Sequence, residues 1–321
     1  MRRSALRADI LLLIAAAIWG SGFIAQRAGM EHLGPWTFNM LRYAIGAAMI
    51  LPFALLGPRA TSTGGTPQSR LDRGTLIDGG VLGLVLTLAA GLQQIGLVTT
   101  TASRAGFLTG LYVLLVPVIG LLIRQRPAFG HLVGLALAGI GLYLFRPDLG
   151  GKWVVGDFFV IGSAFGWALQ VVLVGIVARR RDPVLLAGLQ FLVAAVVSGV
   201  VVVVREPIDI GAMRSAALAV GFSGVFATGV AYTLQMVAQR DAPHTHAAVL
   251  MSLEAVFAAG LGWLMLGESL GAKELVGAGF MLAGMFASQI LGHRGITRRG
   301  VPPTNGRADG SDVTADRAQS P

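Results

Sequence analysis

Residues 9–23 read DILLLIAAAIWGSGF, and 148 positions later residues 157–171 read DFFVIGSAFGWALQV. An acid opens each stretch and a long apolar run follows. A tryptophan then stands beside a glycine: Trp19 with Gly20, Trp167 with Gly166. At the same offset Pro35 falls on Pro183 and Leu41 on Leu189. Only 5 tryptophans and 13 prolines occur in 321 residues, so chance is a poor explanation for agreement at both types. Farther along the offset shrinks. Gln94 then pairs with Gln235, Val116 with Glu254 and Pro117 with Ala255. The chain is written twice.

Each copy is a series of apolar runs long enough to cross a bilayer, which takes about 20 residues as a helix. Ten such runs lie near 9–27, 35–56, 76–98, 102–123, 130–146, 157–178, 183–204, 214–237, 243–266 and 273–292. Composition agrees: 13% of residues are charged, against about 25% in soluble domains. Five runs per copy is an odd number, so the second copy enters the membrane from the opposite side. The expected fold is an all-α polytopic membrane protein with ten transmembrane helices. These form two inverted five-helix repeats, residues 9–146 and 157–292, between a short segment at 1–8 and a disordered tail at 295–321.

The basic start and apolar run at the N-terminus imitate a secretion signal. The run continues to about Ala25, however, and recurs in mid-chain, so it reads as the first span. With the N-terminus cytoplasmic, inner segments hold 17 of the lysines and arginines and outer segments hold 7. That bias predicts both termini inside. It also accounts for the net charge of +9 without a nucleic-acid partner. The absence of cysteine excludes disulfides and thiolate chemistry.

The stretches AIWGSGF (17–23), RAGFLTGLYVLLVPV (104–118), SLEAVFAAGLGWLMLGESL (252–270) and GAGFMLAG (277–284) occur in that order. Together they resemble the EamA-like branch of the drug/metabolite transporter superfamily, across about residues 9–292. The resemblance implies a bacterial inner-membrane transporter, often an exporter of amino acids or other small metabolites. It also implies a central cavity lined mainly by spans one, three, four, six, eight and nine. One position departs from the pattern: the proline that follows the span-nine glutamate in the family is Ala255 here. Alanine keeps its backbone hydrogen bond, so a weaker distortion of span nine is expected.

Polar residues deep in spans are the candidate site residues. Glu254 lies about 16 Å into span nine at 1.5 Å per residue, near the bilayer centre. A charged side chain there costs at least about 2.5–3.5 kcal/mol, so it must be protonated, paired or facing water. It is a candidate for a substrate amine or for a proton. Arg42, inside span two, either reaches for the nearer interface or binds a carboxylate. Trp19 and Trp167 sit too deep for an interfacial belt and can line a cavity or pack between the halves. Gln93, Gln94, Gln170, Gln190 and Gln235 should point inward. Gln94 and Gln235, being repeat-related, are the strongest polar lining candidates. Tyr112, Tyr232, Asn39 and Ser21 are weaker ones. Glu268 reads as a helix-end residue. His244 and His246 have metal-like spacing but no third ligand nearby except Asp241, and they read as a polar helix entrance.

The expectation is a secondary transporter for a small polar or amphipathic molecule, working by alternating access in the lipid bilayer. It uses no cofactor and no metal, and it is open to proton coupling through Glu254 and to homodimerisation. No nucleotide-binding loop is present to supply another energy source. An intramembrane lipid-modifying enzyme would need a convergent acid, base and nucleophile, and only Glu254 lies deep. A lipid or drug-like molecule flippase is the other alternative, so the chain is expected not to be an enzyme.

Overall fold

The computed structural model of the protein describes residues 2–56, 71–100, 102–124, 127–144, 153–266 and 271–297. The regular elements among them are all helical. The first half comprises α1 (Arg2–Gly29), α2 (Pro35–Leu56), α3 (Arg73–Leu97), α4 (Ala102–Gly110), α5 (Tyr112–Leu122) and α6 (Phe129–Leu144). The second half begins with α7 (Val155–Val177), α8 (Pro183–Arg205), α9 (Ile210–Ser215) and α10 (Ala217–Phe222). A π-helical stretch, Ser223–Tyr232, then leads into α11 (Thr233–Gln239), α12 (His244–Met251), α13 (Glu254–Leu266) and α14 (Ala272–Thr297).

Seven helical runs among the described residues are long and apolar enough to cross a bilayer: α1, α2, α3, Ala105–Leu122, α7, α8 and Ala217–Gln239. Two more, α6 and Leu275–Ser288 within α14, are apolar but shorter. The expected ninth span is divided between α12 and α13. The chain is a multi-pass membrane protein by these lengths and by its inside-out polarity. Ile77, Val81, Leu84 and Leu88 on α3, and Leu192, Val196, Val200 and Val203 on α8, form exposed apolar stripes. Gln93, Gln94, Gln170, Gln190 and Gln235 are buried instead, as lipid demands. Helix α14 continues to Thr297, past the expected start of the tail. Residues 298–321, the connection at 57–70 and Glu268 lie outside the described residues.

Helix starts are specified locally. Asp72 caps α3 by accepting from the Thr75 amide at 2.8 Å. Asp182 caps α8 by accepting from Val184 and Leu185, with Pro183 at the first helical position. The helices then pair across the two copies: α2 with α8, α3 with α7, α6 with α14, and α1 with the run from α10 to α11. Small residues permit the closest crossings. A Cβ on Gly134 would meet the Gly284 carbonyl oxygen at 2.7 Å, so α6 and α14 touch by backbone.

Helices break at related places in both copies. The fourth run is interrupted at Leu111, and Pro117 lies inside the helix that follows, where it removes one backbone hydrogen bond. The ninth is interrupted at Ser252–Leu253 although Ala255 can donate its hydrogen bond. That bond goes to the Ser252 carbonyl at 3.3 Å, a three-residue span rather than the α-helical four. The helix opens beside Glu254 without proline.

Candidate functional site

A cavity with about 540 Å³ of empty space, including its opening, lies where the two copies meet. Trp19, Phe23 and Gln26 of α1 line it together with Gln93 of α3, Thr109 of α4 and Tyr112 of α5. The second copy adds Trp167 and Val171 of α7, Ala227, Tyr232 and Gln235 of the eighth run, and Met251 and Glu254 of the ninth. These are the spans that the resemblance implies. Span two also contributes, through Arg42.

The walls are aromatic. Tyr232 is the hub, with ring centroids 4.9 Å from Trp19, 6.1 Å from Trp167 and 5.9 Å from Phe191 behind it. The indoles are held by their N–H groups, because a buried donor left unpaired is costly. Trp19 Nε1 donates to the Ala227 carbonyl at 2.9 Å, inside the π-helical stretch. Trp167 Nε1 donates to Gln93 Oε1 at 3.1 Å, and Gln93 Nε2 donates to Thr109 Oγ1 at 3.2 Å. That chain ties α7, α3 and α4 together. A π-helix shifts the backbone register by one residue, and such segments concentrate at functional sites. Here it carries both Ala227 and Tyr232.

An acid and a base share the cavity. Glu254 is 5% exposed and its Oε1 has no hydrogen-bond partner. Arg42 is 3% exposed and its Nε is likewise unpartnered. Arg42 Nη2 donates to the Tyr43 hydroxyl at 3.0 Å, and its guanidinium carbon lies 4.6 Å from the Tyr43 ring centroid. No ion pair joins Arg42 to Glu254 among the described residues. The guanidinium stays in the protein rather than reaching for the interface.

Five further sequence candidates reach the cavity. Trp19, Trp167, Gln235, Tyr112 and Tyr232 line the cavity. Gln94 does not: it is fully buried with neither amide atom hydrogen-bonded, and its neighbour Gln93 takes the lining position. Successive helix residues are turned by about 100°, so pairing Gln94 with Gln235 could not say which glutamine faces the cavity. Asn39 donates to the Ala90 carbonyl at 3.3 Å, and Ser21 donates to that of Ile18 at 2.7 Å. Gln170 and Gln190 bond each other at 2.7 Å. Phe23, Gln26, Thr109 and Met251 carried no individual signal in the sequence.

His246, part of a polar helix entrance by its sequence, has partners on distant helices. Its Nε2 lies 2.8 Å from Asp9 Oδ1 and its Nδ1 lies 2.8 Å from Ser288 Oγ.

Comparison with known proteins agrees with this architecture. The profile of the EamA-like transporter family matches twice, at residues 6–146 and 154–288. An uncharacterized transporter of Archaeoglobus fulgidus is 29% identical over 86% of this chain and 84% of its own length. A chloroplastic WAT1-related protein of Arabidopsis thaliana is 21% identical over 84% of this chain and 66% of its own. A Chlamydia trachomatis protein named S-adenosylmethionine/S-adenosylhomocysteine transporter is 25% identical over 86% and 87%. A solved crystal structure with a TM-score of 0.70 and 18% identity covers 89% of this chain and 98% of its own, which supports the fold. The chain belongs to the EamA-like transporter family.

Proposed function

We propose that the protein is a secondary active transporter that exports amino acids or related small zwitterionic metabolites by alternating access. The observation that carries this is the presence of Glu254 and Arg42 in one cavity. A buried acid and a buried guanidinium line one aromatic-walled cavity without forming an ion pair. Burying such groups apart is expensive unless a ligand completes them. A zwitterion does so, with its ammonium at Glu254, its carboxylate at Arg42 and any flat side chain against Trp19, Trp167 and Tyr232. S-adenosylmethionine, the substrate named for the Chlamydia relative, is itself an amino-acid zwitterion bearing a flat base.

The architecture proposed for this is ten spans in two inverted repeats, residues 9–146 and 157–292. The double family match and the cross-copy pairing of α2 with α8, α3 with α7 and α6 with α14 support it. Two such halves can exchange inward-open and outward-open arrangements at similar energy. The proposed setting is the bacterial inner membrane with both termini cytoplasmic, from the basic-residue bias. Proton coupling would replace the substrate's positive charge at Glu254 on the return step.

Purified protein in proteoliposomes preloaded with a panel of amino acids and S-adenosylmethionine tests the proposal. Saturable counterflow of labelled zwitterion is expected. Absence of counterflow for the whole panel, from protein that remains folded and monodisperse, would sink it.

A further inference from the structure

The cavity holds more unpaired acceptors than one carboxyl group supplies. Three glutamines line it: Gln26, Gln93 and Gln235. Gln93 is spent on the protein, since its Oε1 accepts from Trp167 and its Nε2 donates to Thr109. Gln26 and Gln235 are 6% and 2% exposed, and the Oε1 of each has no hydrogen-bond partner among the described residues. Glu254 Oε1 is a third such oxygen. A buried acceptor without a donor is costly, so these positions call for a ligand that brings N–H or O–H groups.

Two of the three oxygens belong to side chains that face one tyrosine. Gln235 follows Tyr232 by three residues, which sets both side chains on one face of the eighth run. Glu254 lies close enough to Tyr232, and to Tyr112, to act on both electrostatically. Gln26 is set apart. Helix α1 touches the Glu254 backbone at Gly20, and Gln26 lies a further six residues on, about 9 Å along the axis at 1.5 Å per residue. An ammonium seated at Glu254 therefore has Gln235 as its second acceptor.

Two kinds of cation suit a cavity walled by indoles and a phenol. A quaternary ammonium binds ring faces and has no N–H to donate. A primary ammonium carries three donors and needs acceptors. The walls do not choose between them. The indole N–H groups of Trp19 and Trp167 are already given to the Ala227 carbonyl and to Gln93, which leaves both rings only faces to offer. The unpaired oxygens do choose. A quaternary cation in this place leaves Gln235 and Glu254 without donors. A primary one serves both, and its third N–H can turn to an aromatic face.

We infer that Gln235 is a specificity-determining residue. It accepts a second hydrogen bond from the ammonium held at Glu254 and so restricts the transporter to amines with at least two N–H groups, excluding quaternary ones. The inference rests on the zwitterion reading and assigns the head group which that reading leaves open.

Ligand-induced stabilisation of the full-length protein in nanodiscs tests it, read as the shift of the thermal unfolding midpoint over a concentration series. The probes are phenylalanine, leucine and glutamine, each as the free amino acid and as its N-methyl, N,N-dimethyl and N,N,N-trimethyl forms. Free and monomethyl forms keep two or more N–H groups and should bind alike. Dimethyl and trimethyl forms should bind at least about tenfold more weakly, because a site built to hydrogen-bond a substrate N–H rejects the analogue that lacks it. Gln235→Met keeps the length of the side chain and loses the acceptor. It should weaken the free form about tenfold, the loss of one hydrogen bond from a charged donor, and leave the trimethyl form unchanged. An even decline with each added methyl, or an undiminished preference in Gln235→Met, marks exclusion by bulk and overturns the inference. If that variant does not fold, the wild-type methyl series decides alone. Equal binding of free and trimethyl forms overturns the inference and keeps the zwitterion reading. No binding of any form by folded protein removes both.

Discussion

A Cβ placed on Gly20 would lie 2.7 Å from the backbone oxygen of Glu254 and 2.8 Å from the amide nitrogen of Ala258. The first and ninth runs thus touch by backbone at the acid of the cavity, one residue from Trp19. Gly20→Ala must push α1 away from α13. Overpacking of this kind typically costs about 1–3 kcal/mol. A lowered midpoint in a thermal unfolding assay, together with reduced counterflow, is expected. A variant as stable and as active as wild type would show that the crossing is looser than it looks.

Glu254→Gln keeps the shape of the side chain and removes its charge. Flux of a cationic or zwitterionic substrate should fall at least about tenfold, the effect of losing about 1.4 kcal/mol of binding, and any pH dependence arising at this residue should disappear. Proteoliposome flux measured across pH checks both. Wild-type rates with an unchanged pH profile would remove Glu254 from the mechanism.

Trp167→Phe retains an aromatic wall but leaves Gln93 Oε1 without its donor. One buried hydrogen bond is worth about 1 kcal/mol, so half-saturation should rise about fivefold with a smaller change in maximal rate. The double variant Trp167→Phe/Gln93→Leu should lose little more, because the two residues act through the same bond. Additive losses would mean that they act separately.

At the end of the bundle where α3 begins, Arg181 bonds Asp72 at 2.7 Å and Asp78 at 3.2 Å. The Thr75 hydrogen bonds, helped by Arg181, hold the Asp72 carboxyl down to about 2 from 3.8. A depressed carboxyl stabilises the fold fully above pH 3.8, and that contribution is lost as pH falls through about 2. Acid should therefore weaken this contact only as pH falls from 3.8 toward 2, and Asp72→Asn should flatten the pH dependence of unfolding below 4. At neutral pH Arg181→Ala should lower the unfolding midpoint only slightly, since the pair is partly exposed. Detergent-stability curves at graded pH provide the measurement.

The proposed orientation places the exposed residues Asp209 and Asp241 on opposite sides of the membrane. In the cysteine-free chain, Asp209→Cys should react with an impermeant maleimide added to intact cells, and Asp241→Cys should react only after lysis. The reverse pattern would invert the topology.

Much of the site was legible along the chain because depth in a helical span can be counted. Counting from the span ends put Glu254, Trp19 and Trp167 deep, and all three line the cavity. Counting cannot rank neighbours: Gln93 and Gln94 are equally deep, and only the position of Trp167 and Thr109 selects the first. The opening of the helix at Ser252–Leu253 was also hidden, because the proline that would have signalled it is Ala255.

The sequence by itself determined the apolar runs, the duplicated pattern and the isolation of an acid in the ninth run. Those are properties of composition, spacing and period, which the bilayer and the helix impose on any chain. The tertiary structure alone decided who meets whom. Arg42 turns into the cavity rather than toward the interface, and Asp9 finds His246 across 237 positions of chain. Such partnerships depend on the rotation and crossing of whole helices, set by backbone contacts like that of Gly20 with Glu254, and no local pattern encodes them.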